Sequence, residues 1–245
     1  MPQLLGIAAS GFRLPGPATG MYLWYDAADA TTISASGSDV NSWNDKSGNG
    51  FTMTPATALK PKTGMNTRNS KNVITFTQVS SGGYGGFRNG STSYGTDPNL
   101  DVWIVKKHIT DTIGISGCAF GIGNDQAGTA KVHYSFLDRT NSKLLSGASN
   151  SQIFSTASQV NNWVLSRFTK TGASAEFYLS GTSQGTASGN YDLASGATTV
   201  GSLPQSSGGV YVMEGDIAEV IVYKSVLSGG DYTKTYNYLK DKWGF

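Results

Sequence analysis

Short runs of strand-forming residues, separated by turn residues, extend from Met21 to about residue 226. Apolar and polar positions alternate in several of these runs, as in 175–179, where Ala175, Phe177 and Leu179 share one face. Alternation with a period of two is typical of half-buried strands. Other runs carry large residues on both faces, which favours two packed sheets. The pattern predicts strands at 21–25, 73–76, 100–105, 131–137, 163–168, 175–179, 198–201 and 217–223.

The C-terminal segment has a helical pattern instead. Ser228 occupies the position of an N-cap residue, and Asp231 follows as its acidic capping-box partner. Apolar residues then recur at helical spacing on one face: Tyr232, Tyr236, Leu239 and Trp243. Gly244 ends the pattern. The prediction is an all-β, two-sheet antiparallel sandwich with one short C-terminal α-helix packed against it.

The first twenty residues form a separate segment. Pro15, Gly16 and Pro17 interrupt any regular element before the first predicted strand. We expect residues 1–20 to be an extension that packs on another protein and residues 21–245 to form one domain. Its anchoring residues would be the apolar side chains of the extension: Leu4, Leu5, Ile7 and Phe12. No positive region precedes the apolar stretch, so it does not match a signal peptide.

Composition narrows the classes of partner. Charged residues make up 14% of the chain, against the usual ~25%, and such a surface is typical of an extracellular or virion β protein. The net charge is +2, with no basic run, so neither nucleic acid nor a membrane surface is expected as a partner. No window approaches the ~18 apolar residues that cross a bilayer, so no membrane insertion is expected.

Cysteine and histidine are too few for the usual metal chemistry. Cys118 is the single cysteine, and His108 and His133 are the two histidines, so neither an internal disulfide nor a common zinc cluster can form. No cofactor is predicted. Cys118 lies in an apolar run and is expected in the core. The five tryptophans lie in strand or helix patterns and are also expected there: Trp24, Trp43, Trp103, Trp163 and Trp243.

Three aspartates near the first strand raise the question of a calcium site. Asp26, Asp29 and Asp45 could supply oxygen ligands, but the chain has no dense run of acidic or amide residues there. Asp45 is better interpreted as a turn residue that accepts hydrogen bonds from nearby backbone, with positive φ angles at Gly48 and Gly50. No metal site is therefore predicted.

Four motifs occur in an order that is similar to a known superfamily. They are LWYDAAD at 23–29, SWNDKSGNG at 42–50, GDIAEVIVY at 215–223 and YLKDKWG at 238–244. Together they resemble the concanavalin A-like lectin/glucanase superfamily, in the laminin-G-like branch common in bacteriophage structural proteins and bacterial surface proteins. The resemblance implies a jelly roll whose last strand leads into a short helix. It favours a fold more than a function, since the superfamily contains lectins, glycosidases and structural modules.

An acidic signature begins one residue before the third motif and overlaps it. Glu214, Asp216 and Glu219 have the spacing of the catalytic signature of laminarinase-type glycosidases, in which one Glu is the nucleophile and the other the acid/base. Here Gly215 weakens the strand, and a bulge would separate the first two acids from Glu219. The signature also lies in the last strand rather than in the middle of the chain. We therefore predict that the protein is not an enzyme.

A loop rich in glycine and serine at 80–99 is the candidate binding surface. It places aromatic and basic side chains among small residues: Tyr84, Phe87, Arg88 and Tyr94. Exposed aromatic faces suit sugar C–H groups or a protein partner. The alternative is that these aromatics fold back and cover one end of the sandwich. The sequence leaves both alternatives open.

The combined prediction is a non-enzymatic bacteriophage protein at the virion surface, either a capsid decoration protein or a small tail adsorption module. Its expected partners are other virion proteins, with glycans as candidate ligands. A homo-oligomer is expected, with a trimer as the guess. The alternative is a secreted bacterial carbohydrate-binding module or a laminarinase-type glycosidase.

Overall fold

The computed structural model describes residues 15–17, 19–77, 85–96, 98–109, 117–123, 134–139, 143–147, 153–154, 159–188, 192–193, 197–202 and 212–245. Strands are numbered in chain order. The first sheet has ten strands: β1 (Met21–Asp26), β2 (Ile33–Ser36), β3 (Asp39–Trp43), β5 (Lys62–Arg68), β6 (Lys71–Phe76), β9 (Leu100–His108), β14 (Trp163–Thr171), β15 (Ser174–Leu179), β16 (Thr182–Ser188) and β19 (Gly215–Tyr223).

The second sheet has seven strands, and a further pair stands apart. The seven are β4 (Thr54–Pro55), β7 (Phe87–Asn89), β10 (Gly117–Gly123), β11 (Tyr134–Arg139), β12 (Lys143–Gly147), β13 (Ile153–Phe154) and β18 (Ala197–Val200). The separate pair is β8 (Gly95–Thr96) and β17 (Asp192–Leu193). A 3-10 turn covers Ala30–Thr32, and helix α1 covers Gly229–Trp243. The two antiparallel sheets and the C-terminal helix confirm the predicted fold class.

Strand β19 holds the centre of the first sheet. The order of strands is β16, β15, β14, β9, β19, β6, β5, β3 and β2, with β1 also paired to β19. One edge of β19 pairs with β9, and its other edge is shared between β6 and β1. The first and last strands of the domain are therefore neighbours, which makes the fold depend on contacts between distant parts of the sequence.

The core lies between the two sheets. Its buried side chains come from the inner faces of both: Leu23, Tyr25, Ile74, Phe76, Val102, Ile104, Phe168, Val220 and Val222 from the first sheet, and Phe87, Ala119, Phe120, Ile122 and Val200 from the second. The predicted face of Ala175, Phe177 and Leu179 is buried here, as alternation predicts. Cys118 is also buried, which confirms its core position.

Helix α1 covers part of the outer face of the first sheet. Four of the five tryptophans are buried as predicted, and Trp24, Trp103 and Trp243 lie in the cluster beneath the helix. Of the predicted helix stripe, Leu239 and Trp243 are buried and Tyr232 and Tyr236 are half-buried. Tyr238 and Thr235 are buried as well, beyond that stripe. Ser228 is the N-cap, but its side chain makes no capping hydrogen bond, so the capping-box prediction is wrong at that contact.

A buried carboxylate connects the helix to the sheet. Glu219 of β19 is fully buried and accepts four hydrogen bonds. Trp24 Nε1 and Tyr238 Oη donate to Oε1 at 2.7 and 2.9 Å. Lys242 Nζ and Trp243 Nε1 donate to Oε2 at 2.8 and 2.7 Å. Every donor is on β1 or α1, so this one side chain joins the first strand, the last strand and the helix.

The cluster also contains a second buried carboxylate. Asp26 of β1 pairs with Lys242 at 2.6 Å and with Lys46 at 3.0 Å. Burial raises the pKa of Glu219, the Asp26 carboxylate raises it further, and the Lys242 ammonium opposes the rise. Burial also raises the pKa of the Tyr238 hydroxyl, which therefore stays protonated as a donor. Lys242 is the helix cation that both carboxylates share.

Asp45 organises the turn after β3. Its Oδ1 accepts from the backbone N–H groups of Trp24 and Ser47, each at 2.9 Å, and its Oδ2 accepts from Ser47 Oγ at 2.7 Å. Gly48 and Gly50 have φ angles of 93° and 75°. These contacts confirm the turn interpretation. Within the described part of the chain, no three His, Cys, Asp or Glu side chains are placed to hold a metal ion.

The end of the N-terminal segment packs on the domain. Pro15 is buried, and a side chain at Gly16 would collide with Thr235 Oγ1 of α1 and with the Tyr223 hydroxyl of β19. The predicted anchoring residues lie outside the described residues: Leu4, Leu5, Ile7 and Phe12. No helix within the described ranges is long and apolar enough to span a membrane.

We expect Lys242→Met to lower the free energy of unfolding at pH 7 by about 3–5 kcal/mol, because Glu219 and Asp26 lose the cation between them. The substitution also raises the pKa of Glu219 further. In both proteins the folded chain keeps this proton above the pH at which the unfolded chain releases it, about 4.3, so stability falls as pH rises from there to the folded-state pKa. That folded-state pKa is higher in the variant, so the variant loses stability over a wider pH range. The deficit relative to the unmodified protein therefore shrinks as pH falls. Chemical denaturation at pH 7 and about pH 4.5 measures both effects.

Lys240→Met is the matched control for that experiment. Lys240 lies in the same last turn of α1 but is exposed. Its loss should cost less than about 1 kcal/mol, which is the range of a cation near a helix C-terminus. Equal losses for the two variants would contradict the role assigned to Lys242.

Asp45→Ala should lower the free energy of unfolding by about 2–3 kcal/mol, because the backbone N–H groups of Trp24 and Ser47 lose their acceptor. Thermal denaturation with calcium chloride and with EDTA should give the same midpoint for the unmodified protein. Asp39→Ala, at an exposed pair with Lys62, is the control and should change the midpoint much less. A calcium-dependent midpoint that Asp45→Ala abolishes would restore the metal-site hypothesis.

Candidate functional site

An open pocket of about 420 Å³ lies on the outer face of the first sheet, beside the C-terminal end of α1. It is lined by three residues of β5, one each of β9, β14 and β19, and one residue that follows β9: Met65, Asn66, Thr67, Lys107, Trp163, Asp216 and Ile109. The helix covers the neighbouring part of this face, so the pocket is the section that the helix leaves open.

The strand register places three of these side chains in one row. Asp216 of β19 is paired with Lys107 of β9, and Lys107 is paired with Trp163 of β14. Paired residues of neighbouring strands are about 4.8 Å apart and project from the same face. Thr75 of β6 is paired with Asp216 on the other side and extends the row. A carboxylate, an ammonium group and an indole are thereby aligned across the pocket.

The two charged side chains of the row, Asp216 and Lys107, differ in their hydrogen-bond partners. Asp216 is buried, and its Oδ1 accepts from Asn66 Nδ2 at 3.0 Å and from Thr75 Oγ1 at 2.6 Å. Its Oδ2 accepts no hydrogen bond from any described residue. The Lys107 ammonium likewise makes no ion pair or hydrogen bond within the described ranges. One acceptor and one donor therefore remain available to a bound molecule.

The apolar part of the pocket comes from Trp163 and Met65. Trp163 is half-buried rather than in the core as predicted, because it lies at the margin of the cluster beneath α1, packing against that cluster while also lining the pocket. Met65 is 60% exposed, an unusual fraction for a large apolar side chain in this structure. The pocket thus combines flat or flexible apolar surface with hydrogen-bonding groups.

The structure separates two members of the acidic signature. Asp216 lines the pocket, whereas Glu219 lies beneath α1 with both oxygens bound by helix and β1 donors. The strand register shifts between Ile217 and Glu219, as expected for the bulge. A substrate in the pocket cannot reach the Glu219 carboxylate. The spacing matches the glycosidase signature, and Glu214, its first acid, is half-buried directly before β19.

Two of the four residues of the candidate binding surface at 80–99 lie in the core. Phe87 is fully buried on β7, and its ring centroid lies 5.9 Å from those of Trp43 and Phe76. Tyr94 is 5% exposed and shares a hydrogen bond with Thr198 Oγ1 at 2.8 Å. The hypothesis of exposed binding aromatics is wrong for these two residues, since the rings of both lie in the core cluster between the sheets.

For the other two residues, Arg88 and Tyr84, a role in binding a glycan or a protein partner stays a prediction. Arg88 alternates with Phe87 on β7 and is half-buried, and Tyr84 lies outside the described residues. The pocket residues themselves were missed because Lys107 and Trp163 are far apart in sequence. The alternation of side chains along each strand could have indicated the pocket, since Lys107 and Asp216 are polar residues at outward positions of otherwise apolar strands.

No protein-family model matches the chain, and the search of the curated proteins found no match. Solved structures do match. Domain 4 of AbnA, a GH43 extracellular arabinanase from Geobacillus stearothermophilus solved in complex with arabinotriose, has a TM-score of 0.55 at 15% identity, with 88% of this chain and 96% of that chain covered.

Two further structures are similar over much of the chain. A Trypanosoma rangeli sialidase in complex with sialic acid has a TM-score of 0.62 at 15% identity, covering 92% of this chain and 34% of the sialidase. A SAP-like pentraxin from Limulus polyphemus has a TM-score of 0.50 at 16% identity, covering 66% of this chain and 79% of the pentraxin. This chain spans about a third of the sialidase. At these identities the similarity establishes a shared fold, an antiparallel β-sandwich.

Proposed function

We propose that this protein is a non-enzymatic carbohydrate-binding domain whose ligand occupies the pocket on the outer face of the first sheet. The observation that carries the proposal is the row of Asp216, Lys107 and Trp163 across three adjacent strands. A sugar ring has apolar C–H faces and a polar edge of hydroxyl groups. The row offers an apolar surface for the C–H faces and hydrogen-bonding groups for the hydroxyl groups.

Each residue of the row has a separate role in this proposal. The Trp163 ring packs against the C–H face of a sugar, with Met65 as a second apolar contact. Asp216 Oδ2 accepts a hydrogen bond from a hydroxyl group, and the Lys107 ammonium donates to a hydroxyl or ring oxygen. Asn66 and Thr75 hold the Asp216 carboxylate in place by binding its other oxygen. The polar groups are therefore oriented before a ligand arrives, which reduces the cost of binding.

The non-enzymatic assignment is supported by the environment of Glu219. A general acid or nucleophile must touch the sugar, and Glu219 is fully buried with four hydrogen-bond donors around it. The match with domain 4 of the arabinanase adds support for binding, since that domain was solved with arabinotriose. The match with the sialidase covers about a third of that protein and supports the fold of this chain.

We expect Trp163→Ala to weaken glycan binding by more than about tenfold, because the variant loses the main apolar contact. The measurement is a glycan array of neutral and acidic oligosaccharides, followed by calorimetric titration, with arabinotriose included as a named probe. Tyr178→Ala is the matched control, since Tyr178 is a half-buried aromatic on β15 of the same sheet.

Two outcomes would contradict the proposal. Unchanged binding by Trp163→Ala would remove the pocket as the site. Release of reducing sugar from a bound polysaccharide, lost in Glu219→Gln with the fold intact, would favour the glycosidase alternative.

A virion-surface location is part of the proposal and rests on the low charge content and the motif resemblance. In that setting the predicted anchoring residues of the N-terminal segment would dock the domain on another virion protein, and copies would follow the symmetry of their site. The same pocket would serve a secreted bacterial binding module. Mass spectrometry of purified particles should find this chain in stoichiometric amounts. Its absence from particles would leave the secreted module as the setting.

A further inference from the structure

The turn between β5 and β6 connects these two strands and also contacts the C-terminal end of helix α1. Asn69 and Ser70 have φ angles of 48° and 58°, the conformation of a tight two-residue hairpin turn. The turn places Arg68 and Asn69 against the last turn of helix α1. The three residues before it on β5 line the pocket: Met65, Asn66 and Thr67. One short hairpin therefore contacts both the helix end and the pocket.

The hairpin binds carbonyl groups that the helix leaves free. Asn69 Nδ2 donates to the Lys242 carbonyl at 3.0 Å. Arg68 Nε donates to the Trp243 carbonyl at 2.7 Å, and its Nη2 donates to the Gly244 carbonyl at 2.5 Å. The last carbonyls of a helix have no partner within the helix. The guanidinium fork is thereby fixed in one orientation.

The fixed guanidinium also faces the pocket aromatic. Arg68 Cζ lies 5.9 Å from the centroid of the Trp163 ring and 5.1 Å from that of Phe245. A guanidinium at this distance from an indole face is attracted to it. The helix end is in turn held by Glu219 through Trp243. A continuous chain of contacts leads from the buried carboxylate to the ring that lines the pocket.

We infer that Arg68 is a positioning residue that holds the Trp163 ring against one wall of the pocket, using the C-terminal carbonyls of α1 as its fixed support. The inference rests on the proposed function for its effect on binding. A half-buried indole that is already oriented loses less side-chain freedom when a sugar packs on it. Arg68 touches no ligand in this scheme, and it acts through Trp163.

The test compares Arg68→Gln with Asn69→Gly. Both variants remove hydrogen bonds to the helix end, but only Arg68 contacts Trp163, and glycine tolerates the positive φ of residue 69. The indole N–H resonance of Trp163, identified with Trp163→Phe, reports the ring environment. Thermal denaturation reports the structural cost of each variant, and the glycan array with titration reports binding.

Arg68→Gln should shift the Trp163 indole resonance and weaken binding by roughly 3- to 10-fold, which is the cost of ordering one such side chain. Asn69→Gly should lower the thermal midpoint without either change. If Arg68→Gln does not fold, Arg68→Lys, which keeps the cation but not the fork, is measured in the same way.

An unshifted indole resonance in the Arg68 variant overturns the positioning role, whether or not any glycan binds. Equal shifts in both variants would also overturn it, because Arg68 would then act only by capping the helix. If the unmodified protein binds no glycan while the indole resonance still shifts, the proposed function fails and the contact between Arg68 and Trp163 stands.

Discussion

A single buried carboxylate holds the layers of this domain together. Glu219 accepts hydrogen bonds from an indole of β1 and from a hydroxyl, an ammonium and an indole of α1. Burying a charge is costly unless every lone pair is used, and here the donors come from both ends of the sequence. If the helix left the sheet, Glu219 and Asp26 would both lose the Lys242 ammonium, and Glu219 would lose its other helix donors. This requirement explains why the C-terminal helix lies at one defined position.

The position of the helix in turn defines the pocket. Helix α1 covers the outer face where Trp24, Trp103 and Tyr223 are buried, and it ends next to Arg68. Beyond that end, the same sheet face carries the pocket residues Asp216, Lys107 and Trp163. One sheet face thus serves two purposes: a dry cluster under the helix and an open, mixed polar surface beside it. The boundary between the two is the helix C-terminus, where Arg68 contacts both.

Local patterns predicted the regular elements well. The strands at 100–105, 163–168 and 217–223 are found within β9, β14 and β19, because alternation with a period of two follows directly from strand geometry. The turn at Asp45 was also predictable, since its partners at Ser47 and Phe51 are near in sequence. The prediction failed where the decisive neighbour is distant. Phe87 and Tyr94 lie in a glycine-rich segment that looks exposed, yet both are buried against β18, Phe87 through strand pairing and Tyr94 through its hydrogen bond with Thr198.

Composition and periodicity by themselves determined an all-β sandwich with one terminal helix, because both depend on residues close together in the chain. The tertiary structure alone decided what the acidic signature does. Glu219 and Asp216 are three positions apart on one strand, but a bulge and the helix separate a structural carboxylate from a pocket carboxylate. It also decided that Trp163 lines a pocket rather than the core. Exposure of a strand residue depends on which element packs over its face, and that element, α1, is encoded at the far end of the sequence.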